Sequence, residues 1–386
     1  MIIGVPKETF PGERRVALVP ASVGVLTAAG HAVKIQSEAG LEAGYADQQY
    51  VDKGGQVLPA REDVFLCDCV VQVRAAGANP EAGGGDLELF SANQALVAMC
   101  DPLAMPAEVQ RLAERGVNVF ALELMPRISR AQSMDVLSSM ATVAGYRAVL
   151  LAATALPKMF PMLTTAAGTI TPAKVFVVGA GVAGLQAIAS ARRMGAVVSA
   201  YDVRAAVKEQ VQSLGGRFVE MDLETGRSEG QGGYAQAMDE NFYRRQRELM
   251  IRVVAEQDVV ITTAAVPGKK APILLTREMV EAMPRGSVVV DVAAERGGNC
   301  ELTRPGGSVQ LGGVAILGPA NLPSEVPYHA SQMFSKNVTT FLTHLVFEGR
   351  LRMDRDDEIT RETLLSEGGH IVHPKVLEVA SQAATA

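Results

Sequence analysis

The sequence predicts an α/β fold made of two doubly wound parallel-sheet domains. Short apolar runs alternate with helical patterns along the whole chain, as expected when parallel strands are connected by helices. These runs fall into two groups, one in each half of the sequence. The length of 386 residues is also typical of two domains, at about 150 residues for each.

The predicted strands form two sets of five. They are Met1–Val5, Ala32–Gln36, Cys69–Val73, Leu96–Met99 and Val117–Leu122 in the first half, and Lys174–Val178, Val197–Tyr201, Val259–Thr263, Val288–Val292 and Val314–Leu317 in the second. Their nearly continuous apolar composition is typical of strands buried on both faces of a sheet. The sequence therefore predicts two sheets of similar build, with an interdomain cleft in which a ligand and its reaction partner would meet.

The most apolar stretch, Val136–Leu156, is predicted to be a long and mostly buried helix. A membrane span needs about 20 mostly apolar residues without a central charge, whereas this stretch carries Tyr146 and Arg147 in its middle. A loop over Glu123–Ser138 is expected to lead into it.

The domain boundaries follow from two further segments. A proline-broken turn over Gly318–Ser324 precedes a helical pattern over Ser331–Phe347, which we expect to fold back onto the first domain. The prediction is a discontinuous N-terminal domain (1–135 plus 325–386) and a second domain (136–324). The glycine-rich segment 221–241, almost without apolar residues, is predicted to be a mobile loop.

Composition excludes several classes of function. A net charge of −6 and a pI of about 5.6 argue against a general nucleic-acid-binding surface. Neither the four cysteines nor the five histidines show the spacing of a metal site. The sequence opens on a strand-like run instead of a signal peptide, and a reducing, cytoplasmic setting is the expectation.

Residues 174–184, with the sequence KVFVVGAGVAG, carry the clearest functional signal. Gly179 allows a tight turn after the strand, Gly181 lets main-chain amides approach a diphosphate, and Gly184 lets the following helix pack closely. The helix N-terminus adds partial positive charge. The pattern predicts a Rossmann-like dinucleotide site, against the alternative of a glycine-rich structural turn.

An acidic residue, Asp202, closes the next apolar run. A carboxylate there can accept hydrogen bonds from the adenosine ribose hydroxyls, and its charge would repel a 2′-phosphate. The site should therefore favour NAD over NADP, although the nearby Arg204 weakens that inference. Capping of a turn is the alternative role for Asp202.

Several longer segments resemble the alanine dehydrogenase and transhydrogenase superfamily. They are residues 4–8 (GVPKE), 13–20 (ERRVALVP), the glycine turn, 290–293 (VDVA) and 297–300 (GGNC). The resemblance covers nearly the whole chain. Within that group, residues 127–138 resemble the Arg-Gln-Asp loop of proton-translocating NAD(P) transhydrogenase, residues 232–235 resemble its mobile loop, and residues 267–269 (PGK) also fit.

The resemblance implies a membrane-peripheral, NAD(H)-binding component of that enzyme. Such a component passes hydride between NADH and NADP⁺ held on an NADP(H)-binding subunit, while a separate membrane-embedded subunit moves protons. It also implies a homodimer, located on the cytoplasmic side of the inner membrane through its partners.

The resemblance further implies site residues. Arg127 and Gln132 would hold the dihydronicotinamide ring, Asp135 and Ser138 the adjoining ribose, and Tyr234 would close over the adenosine; Arg127, Gln132 and Asp135 form the catalytic set. The alternative for this loop is a solvated turn in which Asp135 or Ser133 caps the following helix. The complete set of implied NAD(H) contacts is Arg127, Ile128, Ser129, Gln132, Ser133, Met134, Asp135, Ser138, Gly179, Ala180, Gly181, Val182, Ala183, Gly184, Asp202, Val203, Arg204, Gly233, Tyr234, Gln246, Thr263 and Ala264.

Departures from the alanine dehydrogenase pattern separate the two activities. Residues 98–102 (AMCDP) lack the catalytic histidine of that family, Arg74 replaces a lysine, and Glu295 replaces an aspartate. Oxidising an amino acid needs a group that takes the amine proton, whereas hydride transfer between two nicotinamides needs mainly geometry. A free-standing amino-acid dehydrogenase, with Arg15 and Arg74 holding a substrate carboxylate, stays the alternative, and a non-catalytic NAD-binding regulator is a third.

Overall fold

The structure is a computed structural model that describes residues 1–220, 240–265 and 268–385. Its strands are Ile2–Val5 (β1), Ala32–Gln36 (β2), Gln56–Leu58 (β3), Cys69–Arg74 (β4), Ala95–Met99 (β5), Asn118–Ala121 (β6), Leu163–Thr165 (β7), Gly168–Ile170 (β8), Lys174–Val178 (β9), Val197–Tyr201 (β10), Arg217–Phe218 (β11), Val259–Thr262 (β12), Val288–Asp291 (β13), Gly307–Leu311 (β14), Val314–Gly318 (β15), Val346–Phe347 (β16), Arg350–Leu351 (β17), Leu364–Glu367 (β18) and His370–Ile371 (β19).

The helices alternate with these strands. They are Pro20–Ala28 (α1), Asp47–Val51 (α2), Arg61–Phe65 (α3), Gly84–Leu87 (α4), Pro106–Glu114 (α5), Val136–Ala155 (α6), Val182–Arg193 (α7), Lys208–Ser213 (α8), Glu240–Val254 (α9), Arg277–Glu281 (α10), Pro327–Leu345 (α11), Glu358–Thr363 (α12) and Pro374–Thr385 (α13). Contacts divide the chain into two compact units: the first comprises residues 1–140 and 324–386, and the second comprises residues 141–323.

The first unit is built on a sheet whose described strands run in the order β19-β18-β6-β5-β4-β1-β2-β3. Strands β1 to β6 are parallel, whereas β18 and β19 extend the sheet with antiparallel pairing. The chain leaves β1 toward β2 and later returns to the other side of β1 with β4. This reversal makes the carboxyl ends of β1 and β4 a topological switch point, where doubly wound sheets bind ligands.

The second unit repeats this plan in the order β11-β10-β9-β12-β13-β15-β14. All pairings are parallel except the antiparallel contact of β14 with β15. The reversal here lies between β9 and β12. Val175 and Val177 on one face, and Phe176 on the other, are fully buried in two apolar clusters that cover the sheet, as expected for a parallel sheet with helices on both faces.

The predicted α/β class with two doubly wound sheets is confirmed, and each predicted strand is present. The main difference is at the edges of the sheets. The predicted set lacks the parallel strands β3 and β11 and the antiparallel strands β14, β18 and β19. The predicted loop over Glu123–Ser138 ends too late, because α6 begins at Val136. Two 3₁₀ turns, Leu122–Leu124 and Ser129–Met134, form part of the segment before it. The later helix begins and ends earlier than predicted, over Pro327–Leu345.

Helix α6 is the one helix among the described residues that is long and apolar enough to cross a membrane by length and composition. Its 18-residue window has a mean hydropathy of 1.5, and 44% of that window is buried. The side chains of Ala148, Val149 and Ala152 are fully buried in the core of the second unit, while Tyr146 is exposed. The predicted core helix is present, with burial less complete than expected.

Candidate nucleotide-binding site

The glycine turn lies at the switch point of the second unit. Strand β9 ends at Val178, and Gly179 follows with a φ of +97°, a conformation that favours glycine. Its main-chain N–H donates to the Tyr201 carbonyl at 2.8 Å, which holds the turn beside the end of β10. The turn therefore lies where ligands bind in doubly wound folds.

Helix α7 approaches this turn closely. A Cβ atom at Gly184 would lie 1.8 Å from the Gly179 carbonyl oxygen, so only glycine permits the contact. No side chain caps the N-terminus of α7, and a Cβ atom at Gly181 would meet nothing nearer than Arg204 Nη2 at 4.0 Å. Uncapped amides, partial positive charge and open space together fit a bound diphosphate.

Asp202 connects the turn to the end of β10. The residue is only 7% exposed, and its Oδ2 accepts a 2.7 Å hydrogen bond from the Ala180 N–H. Arg204 supplies three more donors: its main-chain N–H and Nε to Oδ1, both at 2.9 Å, and its Nη2 to Oδ2 at 2.7 Å. The carboxylate that the sequence assigned to ribose thus lies beside the glycine turn, in a bidentate ion pair with Arg204.

Thr263 and Ala264 border the turn from the end of β12. The Thr263 hydroxyl donates to the Gly179 carbonyl at 2.9 Å. Both main-chain polar groups of Ala264 bind the Asn299 side chain: the Ala264 N–H donates to Oδ1 at 3.0 Å, and Nδ2 donates to the Ala264 carbonyl at 2.8 Å. Asn299 also donates to the Pro272 carbonyl at 2.8 Å, so it fixes this edge of the site.

Asp291, at the end of β13, holds Asn299 in turn. Its carboxylate is fully buried and accepts from the main-chain N–H of Asn299 at 2.7 Å and of Cys300 at 3.0 Å. The Thr262 hydroxyl donates to it from the neighbouring strand at 3.0 Å. A buried carboxylate with this many donors is well stabilised, and it couples two strand ends to the loop after β13.

The Arg-Gln-Asp loop belongs to the first unit. In its 3₁₀ turn, Ser129–Met134, Ala131 and Met134 are buried, whereas Gln132 and Ser133 are exposed. Arg127, which precedes the turn, is also exposed. Two contacts anchor it: Asn337 Nδ2 donates to the Ser133 carbonyl at 2.8 Å, and Arg130 pairs with Asp357 at 2.6 Å. The polar side chains implied to bind the nicotinamide are therefore presented to solvent on an anchored loop.

Asp135 caps helix α6. Its Oδ1 accepts from the Ser138 N–H at 2.9 Å, and its Oδ2 accepts from the Ser138 hydroxyl at 2.6 Å. This is the capping geometry that the sequence left open as an alternative. The two residues assigned to the nicotinamide ribose are thus in contact with each other, and the cap fixes their relative position.

A buried ionic cluster occupies the switch point of the first unit. Arg15 is 2% exposed, and the Glu13 carboxylate accepts from its Nε at 2.7 Å and its Nη2 at 2.6 Å. Arg74 Nε lies 3.4 Å from Glu13 Oε2, and its guanidinium stacks on the Phe10 ring at 4.2 Å. Both guanidinium groups suggested for substrate binding therefore contact a carboxylate of the chain itself.

Glu123 holds the turn after β5, the stretch in which the sequence analysis found no histidine. Its Oε1 accepts a 2.7 Å hydrogen bond from the Cys100 N–H and a second, shorter one from the Asp101 N–H. Burial is the main reason that its pKa rises from 4.5 to about 7. Cys100 is itself buried, which raises the pKa of its thiol well above the usual value, as expected for a structural cysteine.

Some predicted contacts lie outside the described residues. Gly233, Tyr234 and most of the segment 221–241 are among them, as is Pro267; the side chain of Gln246 is likewise not described. Among the described residues, no group of three or more His, Cys, Asp and Glu side chains is placed to hold a metal ion.

Family models match almost the entire chain. Residues 4–144 match the N-terminal domain and residues 148–374 the C-terminal domain of alanine dehydrogenase/PNT. The chain belongs to the alanine dehydrogenase/PNT family. It is 45% identical, over 97% of its length and 98% of the relative's, to the first part of the NAD(P) transhydrogenase alpha subunit of Rhodospirillum rubrum.

Two solved structures of this family are similar along their whole length. A transhydrogenase from Sinorhizobium meliloti matches with a TM-score of 0.84 and 41% identity, covering 97% of this chain and 99% of that one. An L-alanine dehydrogenase matches with a TM-score of 0.82 and 28% identity, covering 99% of both.

Three residues that hold these sites together were not among the predicted site residues, although two of them lie in the segments 290–293 and 297–300 that carry the family resemblance. Asn299 and Asp291 fix the end of β12, and Glu123 fixes the turn after β5. Local sequence patterns could have marked two of them as candidates. Asp291 is a charged residue at the end of an apolar strand, and Asn299 follows two glycines. Sequence alone offers no means of pairing Asn299 with Ala264, 35 residues earlier.

Proposed function

We propose that this chain is the NAD(H)-binding component of a proton-translocating NAD(P) transhydrogenase. It passes hydride between NADH and NADP⁺ held on a partner component, and a separate membrane subunit couples this transfer to proton movement. The observation that carries the proposal is the 45% identity, over nearly the whole of both chains, to a transhydrogenase alpha subunit.

The second unit supplies a coherent set of groups for NAD(H). The uncapped turn Gly179–Gly184 accepts the diphosphate, and Asp202 accepts the adenosine ribose hydroxyls. NADH contributes the hydride that its nicotinamide ring carries. In the first unit, Arg127 provides planar donors and Gln132 provides both a donor and an acceptor for the ring carboxamide.

Asp135 and Ser138 are assigned to the nicotinamide ribose. Their mutual hydrogen bonds leave the Asp135 carboxylate acceptor capacity for a ribose hydroxyl, because a carboxylate accepts at about four positions and two are used by Ser138. The cap and the ribose contact are therefore compatible.

Amino-acid oxidation is the competing function, supported by the L-alanine dehydrogenase similarity. Two observations disfavour it. The Arg15 guanidinium is bound by Glu13 in a buried pair. Residues 98–102, after β5, contain no histidine, and the main chain of Cys100 in this stretch is bonded to Glu123. The described residues after β5 thus offer no histidine to take the amine proton.

The proposal includes partners and location. The chain would act as a homodimer with an NADP(H)-binding subunit and a membrane-embedded subunit, on the cytoplasmic face of the inner membrane. Helix α6 has its central residues in the core of the second unit, which favours membrane attachment through partners over insertion of this chain.

Reconstitution tests the function. The chain is mixed with the NADP(H)-binding component of a transhydrogenase, and transfer from NADH to an NADP⁺ analogue with a shifted absorbance is followed. The proposal predicts transfer only when both components are present. Nucleotide binding without transfer would refute it, and NADH oxidation by the chain alone with pyruvate and ammonium would establish the competing function.

A further inference from the structure

We propose that Arg204 determines nucleotide affinity and selectivity by competing with ribose for the Asp202 carboxylate. This inference rests on the proposed function in one respect only, namely that Asp202 is the ribose acceptor. In the structure the carboxylate is already paired, so nucleotide binding requires the Arg204 guanidinium to leave it.

The acceptor capacity of Asp202 is fully used. A carboxylate offers about four lone-pair positions, and four donors fill them: the N–H of Ala180, the N–H of Arg204, and Nε and Nη2 of Arg204. The two main-chain donors are fixed by the glycine turn and by the chain after β10. The two guanidinium donors belong to a side chain, so they alone can leave without breaking the turn.

Burial makes this competition strong. The exposed fraction of the Asp202 side chain is 4%, and that of Arg204 is 14%. A bidentate pair this far from solvent is geometrically specific and stronger than a pair on the surface. Ribose hydroxyls must therefore replace two charge-assisted hydrogen bonds, which lowers the affinity for NADH.

The position of Arg204 also changes the basis of selectivity. A carboxylate neutralised by a bidentate guanidinium repels a 2′-phosphate less than a bare one, and a released guanidinium is a good phosphate ligand. Arg204 Nη2 lies 4.0 Å from where a Cβ atom on Gly181 would be, so it borders the space beside the glycine turn. While Arg204 is present, the Asp202 carboxylate therefore repels the 2′-phosphate of NADPH only in part. Substitution of Arg204 should make the exclusion of NADPH complete.

The test measures dissociation constants for NADH and NADPH by fluorescence titration. Arg204→Met removes the competing donors, and Arg193→Met is the matched control because Arg193 is an exposed arginine of the same unit, at the end of α7. We expect Arg204→Met to bind NADH roughly tenfold more tightly, since about two hydrogen bonds to a charged group no longer compete. Its affinity for NADPH should fall, while Arg193→Met should leave the NADH-to-NADPH ratio at the wild-type value.

Arg204→Lys keeps the charge but loses the bidentate geometry, so its NADH affinity should lie between those of wild type and Arg204→Met. It also guards against misfolding of the methionine variant, which thermal unfolding would reveal. A second readout is arginine-selective ¹⁵N NMR. The Arg204 Nε–H signal is assigned as the one that is present in the wild-type spectrum and missing from the Arg204→Lys spectrum. Addition of NADH should remove its protection from solvent exchange.

The outcomes separate this inference from the proposed function. The competition by Arg204 is refuted if wild type binds NADH and Asp202→Asn weakens that binding, but Arg204→Met binds NADH no more tightly than wild type. It is also refuted if the Arg204 signal keeps its protection when NADH is added. If Asp202→Asn leaves NADH affinity unchanged, the assignment of Asp202 to ribose fails, and this inference fails with it.

Discussion

The Thr263 hydroxyl donates a 2.9 Å hydrogen bond to the carbonyl oxygen of Gly179. This bond joins the carboxyl ends of β12 and β9 across the switch point of the second unit. A Cβ atom on Gly179 would lie 2.8 Å from the same hydroxyl oxygen, so the contact requires glycine on one side and a small hydroxyl residue on the other.

Replacement of Thr263 tests whether this bond shapes the site. Thr263→Val is nearly isosteric but leaves the Gly179 carbonyl without its donor, and we expect NADH affinity to fall by roughly threefold to tenfold, the effect of about 1 kcal/mol. Thr263→Ser keeps the hydroxyl and should remain close to wild type. Isothermal titration with NADH measures both, and equal behaviour of the two variants would contradict this role.

Gly184→Ala tests the close packing of α7 on the glycine turn. The added methyl group would lie 1.8 Å from the Gly179 carbonyl oxygen, so the turn and helix must separate and the diphosphate site is lost. We expect an NADH dissociation constant at least about tenfold higher, with stability reduced by roughly 1–3 kcal/mol for an overpacked contact. Gly85→Ala is the control, since a Cβ atom there would have open space, and it should leave NADH binding unchanged.

Arg127→Met tests the assignment of the Arg-Gln-Asp loop to the nicotinamide. If Arg127 orients the ring, hydride transfer in the reconstituted system should fall on the order of a hundredfold, because small misplacement of reacting groups has effects of that size. Affinity for NADH should change far less. Arg277→Met is the control, because it removes an exposed pair with Glu281 on α10 that contributes about 0–1 kcal/mol. Similar losses of transfer in both variants would argue against a specific role for Arg127.

The buried Glu123 carboxyl predicts a pH dependence of stability. Its pKa rises from 4.5 to about 7 in the folded protein, so between these values the folded state binds more protons than the unfolded state. The free energy of unfolding should therefore decrease as pH rises through this window, by about 1–3 kcal/mol for this group. Above about pH 7 the contribution becomes constant.

Glu123→Gln provides the test. The Gln Oε1 can keep both main-chain hydrogen bonds, while a neutral amide NH₂ group replaces the second carboxylate oxygen. Urea unfolding at pH 5 and pH 8 should show the variant gaining stability relative to wild type at the higher pH. A difference between the two proteins that does not vary with pH would show that Glu123 does not titrate in this range.

The central strands of both sheets could be predicted from the sequence because their side chains are buried on both faces. Strands β9 and β10 lie within the predicted bounds for this reason. Edge strand β14 was missed because its residues, Gly307–Leu311, are mostly exposed and carry no apolar run. Its place depends on antiparallel pairing with β15, a tertiary contact that no local pattern encodes.

The candidate site likewise has some residues that could be predicted from sequence and some contacts that could not. Glycine residues and a strand-terminal acid have fixed spacing, so the turn and Asp202 could be found from sequence. The pairing of Asp202 with Arg204 could not, because proximity in sequence does not specify a bidentate geometry. The cap formed by Asp135 was recognised only as an alternative, since Asp at a helix start and Asp in a ribose site give the same local pattern.

Isotope transfer tests the central claim most directly. NADH doubly deuterated at nicotinamide C4 is supplied to the chain together with NADP⁺ and the NADP(H)-binding component of a transhydrogenase, and the products are examined by mass spectrometry. Direct hydride transfer predicts deuterium at C4 of the NADPH formed, with none released to water. Formation of NADPH without deuterium, or no NADPH despite NADH bound to this chain, would contradict the account.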